Sequence, residues 1–274
     1  MKSIVWLASY PKSGNTWFRI FLANYIFNQP QPVPINQVHR LGIGDGVAKT
    51  YRMVSKGQFD AGDPRSTMAW RDKVLRGIIS NGANINFVKT HNENGSAFGA
   101  RLIPKQFTRS AVYILRDPRD MVISYASHYG VTVDQAIEAS TRADNVLPGR
   151  GENAFQFLGN WSNHVLGWGR SKDFPVLTLR YEDLKADPHA AFTKAIKHIG
   201  LTLDDELLDR SIRFSSFDEV RKQEDQNGFV ENSENQQRFF RSGESGQWQS
   251  TLSEAQVDTI RKAHGKVMKR YDYL

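Results

Sequence analysis

An apolar run that stops in a short glycine-containing turn, and then restarts as a second apolar run, constrains this chain more than any other feature. Residues 4–17 read IVWLASYPKSGNTW, and the chain continues as FRIFLANYIF. This order predicts a strand, a loop and a helix. The backbone N–H groups that would converge at the positive end of the helix dipole belong to Ser13, Gly14, Asn15 and Thr16. We therefore predict an anion-binding loop here.

The lysine of this loop stands in a different place from the lysine of a Walker A loop. In the pattern G-x-x-x-x-G-K-S/T, the lysine directly precedes the Ser or Thr whose hydroxyl holds Mg²⁺. Here Lys12 precedes Gly14, and Asn15 stands before Thr16. The sequence thus lacks the arrangement for a metal-bridged nucleotide, and we predict no metal site. Taken alone, the loop could also be an ordinary turn between a strand and a helix.

Three further apolar runs end in polar residues. They are INFVKTH (85–91), AVYILRDPRD (111–120) and PVLTLRYEDL (175–184). The first leaves Lys89 and His91 at its carboxyl end, and the second leaves Arg116 before a predicted helix that carries Ser124. Strands that alternate with helices predict right-handed crossovers and a parallel sheet, which keeps its ligands at the carboxyl ends of the strands. We expect the four sets of polar residues to meet on one edge.

These segments together resemble the sulfotransferases that use 3′-phosphoadenosine 5′-phosphosulfate (PAPS). YPKSGNTW matches the 5′-phosphosulfate loop of that family, with Asn15 where many members have Thr. RDPRDMVISY (116–125) matches its 3′-phosphate segment, and KTH (89–91) matches the strand end that carries its catalytic histidine. RYEDL (180–184) lies where the family has Tyr-Glu-Asp, and FFRSGESGQW (239–248) is similar to its C-terminal Arg-Lys-Gly loop. The resemblance spans nearly the whole chain, in family order.

The resemblance implies an α/β fold with a parallel central sheet flanked by helices, similar to the P-loop NTPases, with insertions over the active site. We expect one sulfotransferase domain over residues 1–274, of the cytosolic type and from a bacterium. Residues 28–84 are expected to form a loop and helix insertion, and residues 130–155 a Gly-rich connection. Residues 222–247 are expected to be mobile until the cofactor binds. These segments should choose the acceptor.

The resemblance also implies catalytic roles for three residues. Transfer of a sulfuryl group needs in-line geometry and stabilisation of the charge that builds up on the leaving phosphate. Lys12 would supply that positive charge. His91 would accept the proton of the acceptor hydroxyl, since an imidazole titrates near neutral pH. Lys89 would help to hold the sulfonate.

The implied cofactor contacts centre on the 3′-phosphate, which Arg116 and Ser124 would bind. A guanidinium suits a phosphate because it donates two hydrogen bonds at once. Ser242 stands where the family has a lysine, so the pocket has one positive charge fewer than usual. The other implied contacts are Lys12, Ser13, Gly14, Asn15, Thr16, Trp17, Tyr181, Ser215, Phe217, Arg241 and Gly243.

Each of these residues also has a purely structural interpretation. His91 could be a core histidine, and Trp17 could simply pack in the core. Arg116 could be a surface ion-pair partner of Asp117 or Asp120. For the whole protein, the competing function is a P-loop kinase or NTPase, which the position of Lys12 disfavours. A non-enzymatic nucleotide-sensing module would keep the loop without needing His91.

Composition limits the remaining possibilities. The chain has 274 residues with 39% hydrophobic content, which suffices for one sizeable α/β core. Its net charge of +7 is spread out and suits an anionic cofactor, so we expect no nucleic acid as partner. With no cysteine and no long apolar span, we expect a cytoplasmic protein without membrane contact.

The acceptor should be a hydroxylated small molecule or natural product. Aromatic side chains in the expected insertions could form its walls, but none carries a distinctive charge. They are Phe59, Trp70, Phe98, Tyr129, Phe155 and Trp161. Residues 247–256 lack the spacing by which many animal members pair, so the oligomeric state stays open.

Overall fold

The computed structural model describes residues 3–274, and its central element is a five-stranded sheet with the order β2-β3-β1-β6-β9. The strands are β1 (Ser3–Ser9), β2 (Gly42–Gly44), β3 (Ile85–Thr90), β4 (Ser96–Ala97), β5 (Ala100–Arg101), β6 (Thr108–Leu115), β7 (Val146–Leu147), β8 (Gln156–Phe157) and β9 (Val176–Arg180). β1 and β2 both pair with β3 in parallel, with Ser3 opposite Ile85 and Gly44 opposite Lys89. The parallel α/β sheet predicted from the sequence is confirmed.

Helices follow the strands along the chain. They are α1 (Asn15–Phe27), α2 (Ala48–Ser55), α3 (Pro64–Ile79), α4 (Pro118–Tyr129), α5 (Val133–Thr141), α6 (Trp161–Gly169), α7 (Tyr181–Ala186), α8 (Pro188–Ile199), α9 (Asp205–Phe214), α10 (Phe217–Asn227), α11 (Trp248–Thr251) and α12 (Glu254–Arg270). Two 3₁₀ helices lie at Ile35–Arg40 and Lys105–Phe107. Within the described residues, no helix is both long and apolar enough to cross a lipid bilayer.

Local sequence accounts for where the site-bearing helices begin. The Asp117 side chain accepts a hydrogen bond from the backbone N–H of Arg119, and Pro118 takes the first helical position of α4. Such a cap satisfies an N–H group that the helix itself leaves unbonded, while proline needs no acceptor there. β6 therefore passes into α4 through Arg116 and Asp117, without a longer loop. Arg116 is thereby fixed between a strand and a capped helix.

Two details of the predicted insertions were wrong. Residues 42–44, which we expected in a loop, form the edge strand β2. The pattern Gly-Ile-Gly is too short to show the alternation of apolar and polar residues that indicates a strand. Glycine is required at position 42, because a Cβ there would lie 2.1 Å from the carbonyl oxygen of Phe87. Residues 130–155 are not only a Gly-rich connection, because they contain α5 and β7.

The chain divides into two compact units. The first contains the chain up to Tyr10, Gly42–Tyr113 and Arg142–Thr178. It includes β1 to β3, most of β6, and the predicted residues Lys89 and His91. The second contains Pro11–Leu41, Ile114–Thr141 and Leu179–Leu274. It includes all the residues that we predicted to bind the cofactor.

Candidate cofactor site and candidate base

The loop that follows β1 has a backbone shaped for close approach. Lys12 has a φ angle of 64° and Gly14 one of 103°. Left-handed residues in a tight turn are typical of nests of backbone N–H groups that bind anions. Gly14 also caps α1 without any side-chain acceptor, and the first N–H groups of a helix have no acceptor within it. A Cβ at Gly14 would lie 2.6 Å from Cδ2 of Tyr181, so glycine is required.

Arg116 connects this loop to the C-terminal segment of the same unit. Its guanidinium donates to the carbonyl oxygen of Lys12 at 3.2 Å and to that of Glu244 at 2.9 Å. It also lies over the ring of Tyr181, 4.6 Å from the centroid. Only 7% of Arg116 is exposed. Among the described residues, no carboxylate lies within ion-pair distance of it.

The surface ion pair that we considered for Arg116 is not formed. Asp117 pairs with Arg119 instead, at 2.7 Å. The Asp120 carboxylate accepts hydrogen bonds from the backbone N–H groups of Gly246 and Trp248 at 2.6 and 3.0 Å. Both acidic neighbours of Arg116 are therefore committed to structural contacts.

Two buried donor atoms of the predicted cofactor residues have no hydrogen-bond partner among residues 3–274. They are Oγ of Ser13 and Nε of Arg116. Buried polar atoms in folded proteins are nearly always partnered. Phosphate oxygens would accept hydrogen bonds from both atoms, so the residues present fit a nucleotide that carries phosphate groups.

Aromatic and glycine residues line the same region of the second unit. Nε1 of Trp17 donates to the carbonyl oxygen of Ser215 at 2.7 Å, and its ring meets that of Tyr181 edge-to-face with centroids 5.8 Å apart. Tyr181 donates its hydroxyl to the carbonyl oxygen of Gly243 at 2.8 Å. A Cβ at Gly243 would lie 2.5 Å from the ring of Phe217. The structure thus brings these five predicted residues together.

The remaining predicted cofactor residues differ in accessibility. The Ser215 hydroxyl is buried and donates to the carbonyl oxygen of Ser211 at 2.8 Å. Arg241 is exposed and donates to Oε1 of Gln247 at 3.2 Å, while Ser242 accepts from Nε2 of the same glutamine at 2.6 Å. Ser124 is half-buried on α4.

Two side chains of the segment 229–241 contact the predicted anion-binding loop and the start of α1. Glu231 accepts a hydrogen bond from the Thr16 hydroxyl at 3.0 Å, and it forms an ion pair with Arg19 at 2.8 Å. The ammonium group of Lys12 lies 3.9 Å from the ring centroid of Phe239. Thr16 and Lys12, which we predicted to bind the cofactor, therefore contact the Glu231 carboxylate and the Phe239 ring in this conformation.

In the first unit, His91 is held at the end of β3. Its Nδ1 lies 2.8 Å from the carbonyl oxygen of Ser9 and 3.3 Å from the Ser9 hydroxyl. A carbonyl oxygen can only accept, so Nδ1 carries a proton, and in the neutral ring the lone pair lies on Nε2. The backbone N–H of His91 donates to Oε1 of Gln156 at 3.1 Å. This tautomer suits a proton acceptor at Nε2.

A second buried histidine supports the main chain of His91. Nε2 of His164 donates to the carbonyl oxygen of His91 at 3.1 Å, and Nδ1 accepts from the hydroxyl of Tyr113 at 2.8 Å. Burial lowers the pKa of His164 to about 4, which the hydrogen bond to His91 partly opposes. His164 is therefore neutral at pH 7. Its two hydrogen bonds link the hydroxyl of Tyr113 to the main chain of His91, the predicted base.

The expected aromatic walls are only partly surface features. Trp161 is fully buried, and Phe59 packs in a core cluster with Tyr51. Near His91, however, Phe155 and Phe157 stack with centroids 6.4 Å apart, and the exposed Phe98 meets Phe157 edge-to-face at 6.1 Å. Phe155 and Phe157 are the sequence neighbours of Gln156, whose Oε1 accepts a hydrogen bond from the backbone N–H of His91.

Sequence reasoning missed the residues that hold the site residues in place. Asp45, whose carboxylate accepts hydrogen bonds from the side chains of Thr90 and Asn92, lies in a stretch, GIGDG, that gives no periodic signal. Glu231 lies in a polar segment without a regular pattern. Arg19 offered the one usable signal, because a single charge inside the apolar run of α1 implies a buried partner. Within residues 3–274, no group of three or more His, Cys, Asp or Glu residues is arranged to hold a metal ion.

Comparison with known proteins identifies the relatives of this chain. A family model described as a sulfotransferase domain matches residues 2–272. Sulfotransferase 1A1 of Bos taurus is 27% identical over 280 residues, covering 96% of this chain and 82% of the relative. Sulfotransferase 1 family member D1 of Mus musculus is 24% identical, with the same coverage.

Two solved structures share the fold. Mouse sulfotransferase SULT7A1, complexed with PAP, is 21% identical with a TM-score of 0.64, covering 100% of this chain and 87% of that one. Retinol dehydratase, in a complex with retinol and PAP, is 18% identical with a TM-score of 0.65, covering 98% and 82%.

The low pKa of His164 predicts a loss of stability in acid. An unfolded histidine binds its proton near pH 6.5, whereas folded His164 does so only near pH 4. As the pH falls from 6.5 to 4, the unfolded state gains a proton first, so the free energy of unfolding decreases by up to about 3 kcal/mol. Well above pH 6.5 His164 is neutral in both the folded and the unfolded state, so it causes no loss of stability there.

Urea unfolding at pH 7.5 and pH 5 measures this effect. His164→Gln keeps a donor for the His91 carbonyl but cannot titrate, so it should lose less stability than the wild type between the two pH values. His264, whose pKa burial also lowers to about 4, remains as a titrating group in both proteins. Equal losses in both would contradict the assignment.

Proposed function

Because the chain belongs to the sulfotransferase family, we propose that it transfers the sulfuryl group of PAPS to a hydroxyl group of a small-molecule acceptor. The environment of Arg116 is the observation that best supports PAPS as the nucleotide. Arg116 is a buried cation whose acceptors are carbonyl oxygens and whose Nε has no described partner. A phosphate group would neutralise it. The PAP complexes of mouse SULT7A1 and of retinol dehydratase support the same nucleotide.

The proposed binding residues for PAPS all belong to the second unit. The loop would hold the 5′-phosphosulfate, while Arg116 and Ser124 would hold the 3′-phosphate. Thr16 can use its hydroxyl as a donor only if Glu231 moves away, because that hydroxyl has a single hydrogen. The full set is Lys12, Ser13, Gly14, Asn15, Thr16, Trp17, Arg116, Ser124, Tyr181, Ser215, Phe217, Arg241, Ser242 and Gly243.

PAPS, when bound, supplies the sulfuryl group and departs as adenosine 3′,5′-bisphosphate (PAP). Lys12 would stabilise the negative charge on the departing phosphate, since a cation acts most strongly where charge develops. Its contact with Phe239 is worth only about 0.5–1 kcal/mol and is easily exchanged. His91 would take the hydroxyl proton at Nε2, and Lys89 would help to hold the sulfonate.

For the acceptor, we propose an apolar hydroxylated molecule. The rings of Phe98, Phe155 and Phe157 belong to the same unit as His91 and offer apolar contact area. Retinol in the retinol dehydratase complex is a hydroxylated apolar molecule of this kind. A phosphotransferase is not favoured, because no lysine directly precedes Thr16.

We further propose that the whole chain, 1–274, works as one sulfotransferase domain in the cytoplasm. The family model spans residues 2–272 without interruption. The chain contains no cysteine and therefore needs no disulfide bond, which is compatible with a reducing compartment.

Replacing Lys12 with alanine tests the role of its charge. We expect single-turnover transfer from ³⁵S-labelled PAPS to fall by about 10²- to 10³-fold, because a contact made in the transition state is lost. Binding of PAP should be partly retained. Lys262→Ala, an exposed lysine on α12, is the control. Transfer by Lys12→Ala at the wild-type rate would show that Lys12 is not the catalytic cation.

Nucleotide discrimination tests the 3′-phosphate assignment. Arg116→Ala should weaken PAP binding by about 10- to 100-fold, as expected when a charge-assisted hydrogen bond is lost, and should weaken binding of 5′-AMP far less. Ser124→Ala should have the same selectivity, while Ser127→Ala, on the same helix, should have no effect. Calorimetry with both nucleotides gives the answer. Equal losses for PAP and 5′-AMP would place the 3′-phosphate elsewhere.

Substitution of His91 tests the general base. His91→Asn should lower kcat by about 10²- to 10⁴-fold while PAPS affinity changes little. In the wild type, kcat should rise with pH through one ionisation that the variant lacks. The substitution should lower kcat more for an aliphatic alcohol than for an acidic phenol, since a phenol loses its proton more easily. His189→Asn, on the surface, is the control. The assignment is refuted by a variant that turns over an aliphatic acceptor normally.

A further inference from the structure

One oxygen atom of Asp45 accepts hydrogen bonds from three side chains. Oδ2 lies 2.7 Å from Nη2 of Arg71, 2.7 Å from the Thr90 hydroxyl and 2.9 Å from Nδ2 of Asn92. All four residues are buried, with exposures of 0 to 2%. Thr90 and Asn92 are the residues on either side of His91. The same carboxylate oxygen therefore fixes the chain immediately before and immediately after the predicted base.

Backbone contacts tighten the same segment. The N–H of Asp45 donates to the carbonyl oxygen of Lys89 at 3.0 Å, and the N–H of Asn92 donates to the Thr90 hydroxyl at 3.0 Å. Asn92 also accepts a hydrogen bond from the N–H of Phe157 at 2.7 Å. The main chain on both sides of His91 is thus held by contacts that meet at the end of β2.

Arg71 holds the carboxylate of Asp45, and Tyr51 holds its main chain. Nε of Arg71 donates to the carbonyl oxygen of Leu102 at 2.7 Å, and the hydroxyl of Tyr51 donates to the carbonyl oxygen of Asp45 at 3.0 Å. Both contacts are buried, so Asp45 has little freedom to rotate. The position of Asp45 is therefore fixed by the buried residues Arg71 and Tyr51.

Stability alone is a poor explanation for this arrangement. Burying an Asp–Arg pair has a large desolvation cost, and replacing such pairs with apolar residues is often neutral or stabilising. The other oxygen of the same carboxylate, Oδ1, is buried without a hydrogen-bond partner in the described part of the chain. The network therefore concentrates its hydrogen bonds on one oxygen, at the point that fixes the two neighbours of His91.

We propose that Asp45 is a positioning residue for His91, an inference that rests on the proposed role of His91 as the base. Through Thr90 and Asn92 it sets the main chain of His91, and this places Nδ1–H against the carbonyl oxygen of Ser9. That hydrogen bond keeps the lone pair on Nε2. Loss of the network frees the ring to leave Ser9 and to populate the other tautomer, in which Nε2 carries the proton and cannot accept one.

Thr90→Val and Thr90→Ser form a matched pair for the test, made in the full chain. Valine has the shape of threonine without the hydroxyl, whereas serine keeps the hydroxyl. Imidazole ¹⁵N NMR reports the tautomer directly, and His91→Asn identifies the His91 signals. Wild type and Thr90→Ser should show His91 protonated at Nδ1 only. Thr90→Val should show both tautomers.

Kinetics supply the second measurement, with 2-naphthol and benzyl alcohol as probe acceptors. Thr90→Val should lower kcat for benzyl alcohol by at least about 10-fold, because a misplaced catalytic group costs up to ~10²-fold, and should lower kcat for 2-naphthol less. KM for PAPS should stay unchanged. In a His91→Asn background, Thr90→Val should cause no further loss, since the residue that it positions is absent.

The outcomes separate the two proposals. If His91→Asn keeps normal turnover, the base assignment and the positioning role both fail. If His91→Asn loses activity but Thr90→Val keeps the Nδ1 tautomer, or lowers kcat equally in the His91→Asn background, only the positioning role fails. Asn92→Leu removes the other flanking donor to Asp45 and gives the same readings should Thr90→Val not fold.

Discussion

One buried guanidinium joins two distant segments of the predicted cofactor site. Arg116 donates to the carbonyl oxygens of Lys12 and Glu244, which lie 104 and 128 residues away in the chain. It therefore joins the loop after β1 to the segment before α11. A buried charge without a counter-charge is costly, and among the described residues Arg116 has no carboxylate partner. A bound 3′-phosphate would remove that cost, and we therefore propose that the residue that joins these two segments also selects the nucleotide.

The protein's own groups contact the predicted anion-binding loop and the start of α1 in this conformation. Glu231 binds Thr16 and Arg19, and Phe239 lies against the ammonium group of Lys12. A ligand that uses Thr16 and Lys12 must replace these contacts, so its measured affinity is the difference between two sets of interactions. A single cation–π contact such as that of Lys12 with Phe239 is weak enough for this exchange.

The sequence predicted those parts of the molecule that local patterns encode. The strand, loop and helix at residues 4–27, the strand before His91, and the strand that ends at Arg116 with the helix after it follow from apolar runs and turn residues. The sequence could not predict β2, because three residues with two glycines give no alternation. Nor could it predict the contacts of Asp45 and Glu231, since their partners lie far away in the chain and tertiary packing alone brings them together.

We propose that the loop after β1 and Arg116 form a site for a 3′-phosphorylated nucleotide that binds without Mg²⁺. Thermal unfolding of the wild type with PAP, with 5′-AMP and with ATP–Mg²⁺, each at the same concentration, tests it most directly. Bound ligand stabilises the folded state by RT ln(1 + [L]/Kd). We expect PAP to raise Tm most, in the presence of EDTA as well, and 5′-AMP and ATP–Mg²⁺ to raise it little. An increase with ATP–Mg²⁺ that equals or exceeds the increase with PAP would contradict the claim.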